Sequence, residues 1–454
     1  MNLARVGVGG FVWRSLACEK KGNTMKKLFR KIALGLAAVC SLATFGLAGC
    51  GSADNGGGTG NNLPLYQIAD VVKPDLLWDT KTTFATVPER KAADVFLGEN
   101  IDAFYFKSEP YKGSTHTWVF AAVGVPISAM PKDGYPAIVL AHGGGGYVST
   151  KWMEYWMEQG YVAIAFDSFS GALDESGKRV DNPEGGPKET GGGSNLDGVD
   201  TPKDAWIYHA VAGAMHCNSI LRARKDVDSN RIVMTGNSWG GFVTCVTAGV
   251  DKRFAAFAST NGTGFVYNDT TWQKDGIFGG ERKQEWIDLY DASSYLPYAT
   301  KPMMFVSGVG DEFFSAYNRQ ASADLVKGKV FYSQRTNIKH AEWTKEGEIA
   351  AFFAHVLYGQ DTLAMISEVS VADGVASFTY ENEMFSTVKF VYTTSTDTDS
   401  HKWKWESVEV TPENGACSYE IPDGTTAFLF ETSLIPTFGQ STEIVIMDKT
   451  ANYQ

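Results

Sequence analysis

Short, nearly continuous apolar runs recur along the middle of this chain, and they constrain its fold more than any other feature. They read YPAIVLA (Tyr135 to Ala141), YVAIAF (Tyr161 to Phe166), RIVMT (Arg231 to Thr235), FAAFAS (Phe254 to Ser259) and PMMFVS (Pro302 to Ser307). A strand with one face in water alternates apolar and polar residues. A strand without that alternation is buried on both faces, as in a parallel sheet covered by helices. Helical stretches separate the runs, over Thr150 to Gln159, Pro202 to Arg224, Trp239 to Gly249 and Tyr317 to Val326. The pattern predicts an α/β fold with a doubly wound, mostly parallel sheet. In such sheets, ligands gather in the loops at the carboxyl ends of the strands.

The flanking sequence extends this picture. Residues 101–127 alternate apolar and polar around Lys112-Gly113-Ser114, which predicts an antiparallel hairpin. Residues 168–204 are polar and Gly-rich (EGGPKETGGGSNLDG), too long for an ordinary connection. They are expected to form a lid or rim near the functional site; a solvated insertion is the alternative. The α/β domain is expected over 63–360. From 365 to 454 the period is two (ASFTY, VKFVY, WKWESVEV, TAFLFE), which predicts a small all-β sandwich domain of immunoglobulin or fibronectin type. The 454 residues suffice for such domains, and 44% hydrophobic against 20% charged residues excludes a mainly disordered chain. The 48 glycines fall in local runs without a repeat of three, which excludes collagen.

The N-terminal segment has a different logic. Lys26, Lys27, Arg30 and Lys31 precede an apolar stretch, Ile32 to Phe45, and then Leu47-Ala48-Gly49-Cys50. This resembles a bacterial lipoprotein signal with its lipobox, which implies that residues 1–49 are an upstream segment and signal peptide and that Cys50 is lipidated. A transmembrane anchor is the rival reading, but the stretch up to Cys50, Ile32 to Gly49, of about 18 residues, sits at the lower limit for spanning a bilayer. Residues 51–62 (GSADNGGGTGNN) then form a flexible tether behind the lipidated Cys50. The expected location is extracytoplasmic, with the lipid as sole membrane attachment. Of 40 basic and 52 acidic residues, eight and one precede Cys50, which leaves 32 and 51 and a net charge of −19. Such a surface repels nucleic-acid backbones, so no nucleic-acid partner is expected. With Cys18 and Cys40 removed, Cys217, Cys245 and Cys417 remain. Three cysteines make no disulfide framework; a Cys217–Cys245 bridge is one option, and buried free thiols are expected.

The chemistry concentrates in a few positions. Gly236-Asn237-Ser238-Trp239-Gly240 fits G-x-S-x-G and lies between a buried strand and a helix, where a sharp turn lifts a serine above the sheet. Ser238 is therefore the expected nucleophile. His142 and the four glycines Gly143 to Gly146 follow the strand YPAIVLA. The N–H of Gly144 or Gly145, with that of Trp239, is expected to bind an oxyanion. A phosphate-binding loop is the rival; no G-K-[ST] follows. Serine needs a base, and His340, in a loop before the final helix, is the candidate. His116 and His401 lie elsewhere, and His209, His216 and His355 fall inside helical stretches. The orienting acid should close a strand between them: Asp311, with Glu312 as fallback. The order Ser238, Asp311, His340 is that of the α/β-hydrolases.

Three stretches then carry a family likeness: HGGGGYVSTKWMEYWMEQGYVAIAFD, VMTGNSWGGFVTCVTAGVDKRFAAFAST and VSGVGDEFF with KHAEW. They resemble the bacterial acetylxylan-esterase and dienelactone-hydrolase-like branch of the α/β-hydrolases, with the prolyl-oligopeptidase catalytic domain a more distant relative. The resemblance covers residues from about 64 to 360. It implies a serine esterase acting on acetyl esters of carbohydrate through Ser238, His340 and Asp311, with no cofactor and no metal. Residues 168–204 match no pattern of that family. Two other readings stand beside it, a prolyl-oligopeptidase-type peptidase and a non-catalytic carbohydrate-binding protein. Only about 90 residues precede the hydrolase sheet, too few for the propeller of the former family. Trp152, Trp156, Trp206, Trp239 and Trp272 are expected mostly in the core. Trp403 and Trp405 share one face of a strand and are expected to be buried.

Overall fold

Every residue of Tyr135 to Ala141 is buried because its side chains alternate between two helical layers. Ala137, Val139 and Ala141 pack into one layer, Ile138 and Leu140 into the other. The structure, a computed structural model, describes residues 77–188, 196, 199–274, 282–340, 346–435 and 438–447. The expected signal peptide, Cys50 and the tether lie outside the described residues, as does much of the Gly-rich core of 168–204.

In chain order the first strands are β1 (Arg90–Ala92), β2 (Ile101–Ser108), β3 (Thr117–Gly124), β4 (Tyr135–Ala141) and β5 (Val162–Phe166). A short hairpin, β6 (Gly171–Leu173) and β7 (Arg179–Asp181), follows, and then β8 (Val227–Asn237), β9 (Ala256–Thr260), β10 (Met303–Gly308) and β11 (Val330–Arg335). The spatial order runs β1-β2-β3-β5-β4-β8-β9-β10-β11. From β5 to β11 all neighbours are parallel. The expected 101–127 hairpin, β2 with β3, joins antiparallel to β5 and carries β1 on its outer edge. The sheet is doubly wound and mostly parallel, as its apolar runs predict.

The helices are α1 (Thr80–Ala85), α2 (Thr150–Glu158), α3 (Trp206–Arg222), α4 (Trp239–Ala248), α5 (Thr270–Lys274), α6 (Lys283–Tyr290), α7 (Ala316–Asp324) and α8 (Glu346–Tyr358). On α2, Trp152, Met153 and Trp156 form the apolar stripe, and the Ser149 hydroxyl caps the helix by accepting from the Trp152 N–H at 3.4 Å. That stripe meets Phe352 and Phe353 of α8 on one face of the sheet, while α3 and α4 cover the other. The helix expected from Pro202 begins later. Pro202–Asp204 form a tight 3-10 turn, with Asp204 accepting from the Thr201 N–H and hydroxyl, and α3 starts at Trp206.

Beyond α8 come β12 (Met365–Ile366), β13 (Ser370–Ala372), β14 (Val375–Glu381), β15 (Thr387–Thr393), β16 (Glu406–Val410), β17 (Ala416–Glu420), β18 (Ala427–Ile435), β19 (Phe438–Ser441) and β20 (Val445–Ile446). Two sheets face each other here, with Phe378 of β14 against Phe430 of β18 and Tyr419 of β17 against Phe390 of β15, ring centres 5.0 and 4.9 Å apart. The predicted sandwich is thus present, but one of its sheets continues the central one. β19 pairs antiparallel with β11, Tyr332 opposite Ser441, and the order runs on through β19-β18-β15-β16. Polar side chains seal the join. Arg335 and Glu348, both fully buried, lie 2.7 Å apart, and the Gly439 N–H donates to the same Glu348 oxygen. Thr336 donates from its N–H and its hydroxyl to Glu431. All the described residues fall in one compact unit.

Candidate active site

Ser238 sits where β8 turns into α4, with φ 57° and ψ −123°. A non-glycine residue in that region is strained by about 1–3 kcal/mol and persists only where its surroundings hold it. Here the Ser238 N–H donates to the Thr260 carbonyl and its own carbonyl accepts from the Phe242 N–H, both at 2.9 Å. The turn also presses α4 against β4: a Cβ on Gly240 would overlap the Ala141 carbonyl oxygen. The small residues of G-x-S-x-G are a packing requirement.

His340 and Asp311 converge on this serine. His340 Nε2 lies 2.9 Å from Ser238 Oγ, and Nδ1 lies 3.0 Å from both oxygens of Asp311. Asp311 is an acceptor only, so Nδ1 donates to it and Nε2 is left to accept the serine proton. The loop after β10 holds Asp311 by the Phe313 and Phe314 N–H groups, at 2.8 and 3.0 Å, and by the Ser307 hydroxyl at 3.1 Å. Burial pushes the Asp311 carboxyl up, but the hydrogen bond and charge of His340, the Arg319 guanidinium and the Phe314 N–H outweigh it and hold the group below its ordinary value. Glu312, the fallback, is exposed, and its backbone carbonyl accepts from the Thr271 hydroxyl.

The glycine loop lies over the same serine. A Cβ on Gly143 would come 2.8 Å from that of Ser238, so the loop's approach depends on its absence. Gly144 and Gly145 are the exposed middle of a turn closed by the Gly146 N–H and the Gly143 carbonyl, with Gly145 at φ 65°. Trp239 heads α4, where the first N–H groups have no partner within the helix. His142 anchors the loop from below. Its Nδ1 donates to the Gly143 carbonyl (2.9 Å) and its Nε2 accepts from the Ser168 N–H (3.1 Å). Burial lowers its pKa despite the nearby Asp167, so the ring is neutral, consistent with that pairing. Asp167 in turn accepts from the Phe169 and Gly171 N–H groups. The start of the 168–204 segment is thereby tied to the glycine loop.

An aromatic row runs beside the serine and the histidine. Phe169, Trp206, Trp239, Trp272 and Phe313 touch in succession, with ring centres 4.8 to 5.7 Å apart. All five tryptophans expected in the core are buried, whereas Phe313 is 36% exposed, 4.6 Å from the His340 ring. Cys217, Cys245 and Cys417 are buried free thiols, and burial pushes Cys245 up to about 12. Among the described residues, no group of three or more His, Cys, Asp or Glu could hold a metal ion, and no helix is long and apolar enough to cross a membrane.

Two residues of this neighbourhood escape a reading of the sequence. Asn261, at φ 49°, donates to the His340 carbonyl at 2.5 Å and to Asn237 at 3.2 Å. An Asn-Gly pair after a buried strand marks the turn but not what its side chain holds. His401, assigned by sequence only to the C-terminal strands, reaches the back of the Asp311 loop.

Residues 103–262 match the acetyl xylan esterase family, and residues 203–329 match the prolyl oligopeptidase family. None of the curated proteins matches the chain. Among solved structures, the acetyl xylan esterase from Paenibacillus sp. R4 is 15% identical with a TM-score of 0.48, over 64% of this chain and 99% of that one. Acetyl xylan esterase 1 from Thermoanaerobacterium sp. JW/SL YS485 is 15% identical with a TM-score of 0.45, over 64% and 97%. The Pyrococcus horikoshii acylaminoacyl peptidase is 15% identical with a TM-score of 0.40, over 54% and 38%. Both family matches contain Ser238, and both end before His340, whose place beside the serine rests on geometry alone.

Proposed function

We propose that this chain is a serine esterase that removes acyl groups, acetyl foremost, from carbohydrate, working outside the cytoplasm on a tether from lipidated Cys50. The unbroken hydrogen-bond chain Ser238–His340–Asp311 carries the reading. A serine hydroxyl attacks an ester carbonyl only if its proton leaves as the bond forms, and His340 Nε2 is placed to take it. Asp311 fixes the tautomer that makes Nε2 the acceptor and stabilises the imidazolium that follows. The negative charge that develops on the carbonyl oxygen falls to N–H donors, those of Trp239 and of Gly144 or Gly145, each worth about 3 kcal/mol in the transition state. His340 then protonates the departing alcohol, and a water molecule repeats the sequence on the acyl-enzyme.

The carbohydrate part of the proposal has two supports. Residues 103–262, which carry the glycine loop and the serine, match acetyl xylan esterases. The exposed face of Phe313 beside His340 offers a stacking surface for a sugar ring. The match of residues 203–329 to prolyl oligopeptidases supports the second reading, cleavage of a prolyl peptide by the same triad. Assays of residues 51–454 with p-nitrophenyl acetate, acetylated xylan and a prolyl-peptide amide separate the two. Both esters should be cleaved, and Ser238→Ala should abolish the activity. Cleavage of the amide alone would refute the esterase reading, and activity surviving in Ser238→Ala would refute the triad itself.

A further inference from the structure

His401 belongs to a single 3-10 turn, Ser400–Lys402, between β15 and β16 of the C-terminal sandwich. Its ring is inserted between two acceptors. Nε2 lies 2.5 Å from Asp269 Oδ1, and Nδ1 lies 2.9 Å from the backbone carbonyl of Asp311. The Thr271 hydroxyl, 3.4 Å from Nε2, already donates to the Glu312 carbonyl, so towards the ring it too can only accept. A ring with an acceptor at each nitrogen must donate from both. Burial opposes the charge this implies, but the Asp269 hydrogen bond and charge, the Asp311 carbonyl and Asp399 together raise the pKa of His401 above its ordinary value.

The partners on either side are fixed. Asp269 is buried and also accepts from the Thr271 and Ser315 N–H groups, the latter just ahead of α7. Val309 and Ala316, which bracket the Asp311 loop, pack in one apolar cluster with Trp403 and Ile444 of the C-terminal region and with Val391 and Leu429 of its strands β15 and β18. Trp403 is therefore buried at the join between the two parts of the chain as well as in the sandwich, while Trp405 lies half-buried beside it. The same loop carries Phe313 and Phe314, whose rings flank His340. The apolar cluster grips the ends of the loop, and His401 pins its middle, at the residue whose carboxylate orients the base.

We propose that His401 is a positioning residue for Asp311, so that the C-terminal β region is a working part of the catalytic machinery. The inference rests on the triad reading above. A carboxylate whose backbone is released by even 1 Å no longer meets both the histidine and its own N–H donors, and misplacement of that size costs up to about 100-fold in rate.

The test uses the full chain with His401→Gln, which keeps a donor for one acceptor but cannot span both, and Asp269→Asn, which keeps the shape of the partner but not its charge. Folded, competent sites are counted by exhaustive titration with an organophosphonate, and kcat and KM for p-nitrophenyl acetate are referred to that count. Expected is a loss in kcat per titrated site of the order of 10- to 100-fold in both variants, a matching slowing of phosphonylation, and an unchanged KM. A merely structural role would lower the number of titratable sites and leave kcat per site at the wild-type value, and that result in both variants would overturn the proposal. Ser238→Ala, run alongside, separates the failures: if it is inert while both other variants are fully active, the triad stands and His401 does not matter to it.

Discussion

Two histidines in this molecule meet Asp311, one at its carboxylate and one at its backbone carbonyl, and their hydrogen-bond partners differ. His340 has one acceptor and one hydroxyl; His401 has acceptors on both sides. The charged groups that surround His401 are Asp269 from the segment ahead of α5, and Asp399 and Lys402 on its own turn. Because the folded pKa of His401 is raised, its contribution to stability is fully present below the unfolded value of about 6.5 and is lost as pH rises through the folded value. The thermal midpoint of wild type should therefore exceed that of His401→Gln most near pH 6 and converge with it in alkaline buffer. A gap that widens with pH would contradict the doubly donating ring. Asp311 behaves in the opposite sense: its lowered value gives stability above the unfolded carboxylate pKa that fades as pH falls through the folded one.

Among the elements, the turn from β8 into α4 is the most constrained, and it was fully legible. The strand RIVMT, the small residues around Ser238 and the apolar run behind them point to one geometry, and the contact of Gly240 with the Ala141 carbonyl explains why. Gly240→Ala should lower stability by about 3 kcal/mol, as overpacking of a tight contact does. Urea unfolding checks this, with a shifted midpoint and an unchanged slope; a neutral substitution would mean that the helix and β4 are not in contact. The parallel strands were legible for a similar reason, since burial on both faces leaves a mark at every position. His340 and Asp311 could be chosen because each lies in a loop at the end of a strand, where few histidines and carboxylates compete. Asn261 and His401 could not, because what identifies them is a partner far along the chain. The attachment of β19 to β11 was hidden likewise: alternation shows that a strand is half-buried, not which neighbour it pairs with.

At the scale of the whole molecule, attachment and assembly are separate matters. The proposed anchor is the lipid on Cys50, so Cys50→Ala should move the protein from the membrane fraction to the soluble fraction while leaving its activity per mole intact. Retention of the variant in the membrane after a salt wash would argue for a spanning or peripheral attachment instead. The described body is held by a sheet that runs without a break from β1 to β16, sealed by the buried Arg335–Glu348 pair; removing one partner of such a pair costs about 3–5 kcal/mol. That continuity has a consequence for biosynthesis. The strand that completes β11 spans Phe438–Ser441, so a nascent chain that has already delivered Ser238, Asp311 and His340 still has an open sheet edge. The hydrolase half must wait, unfinished, until Phe438–Ser441 have been translated.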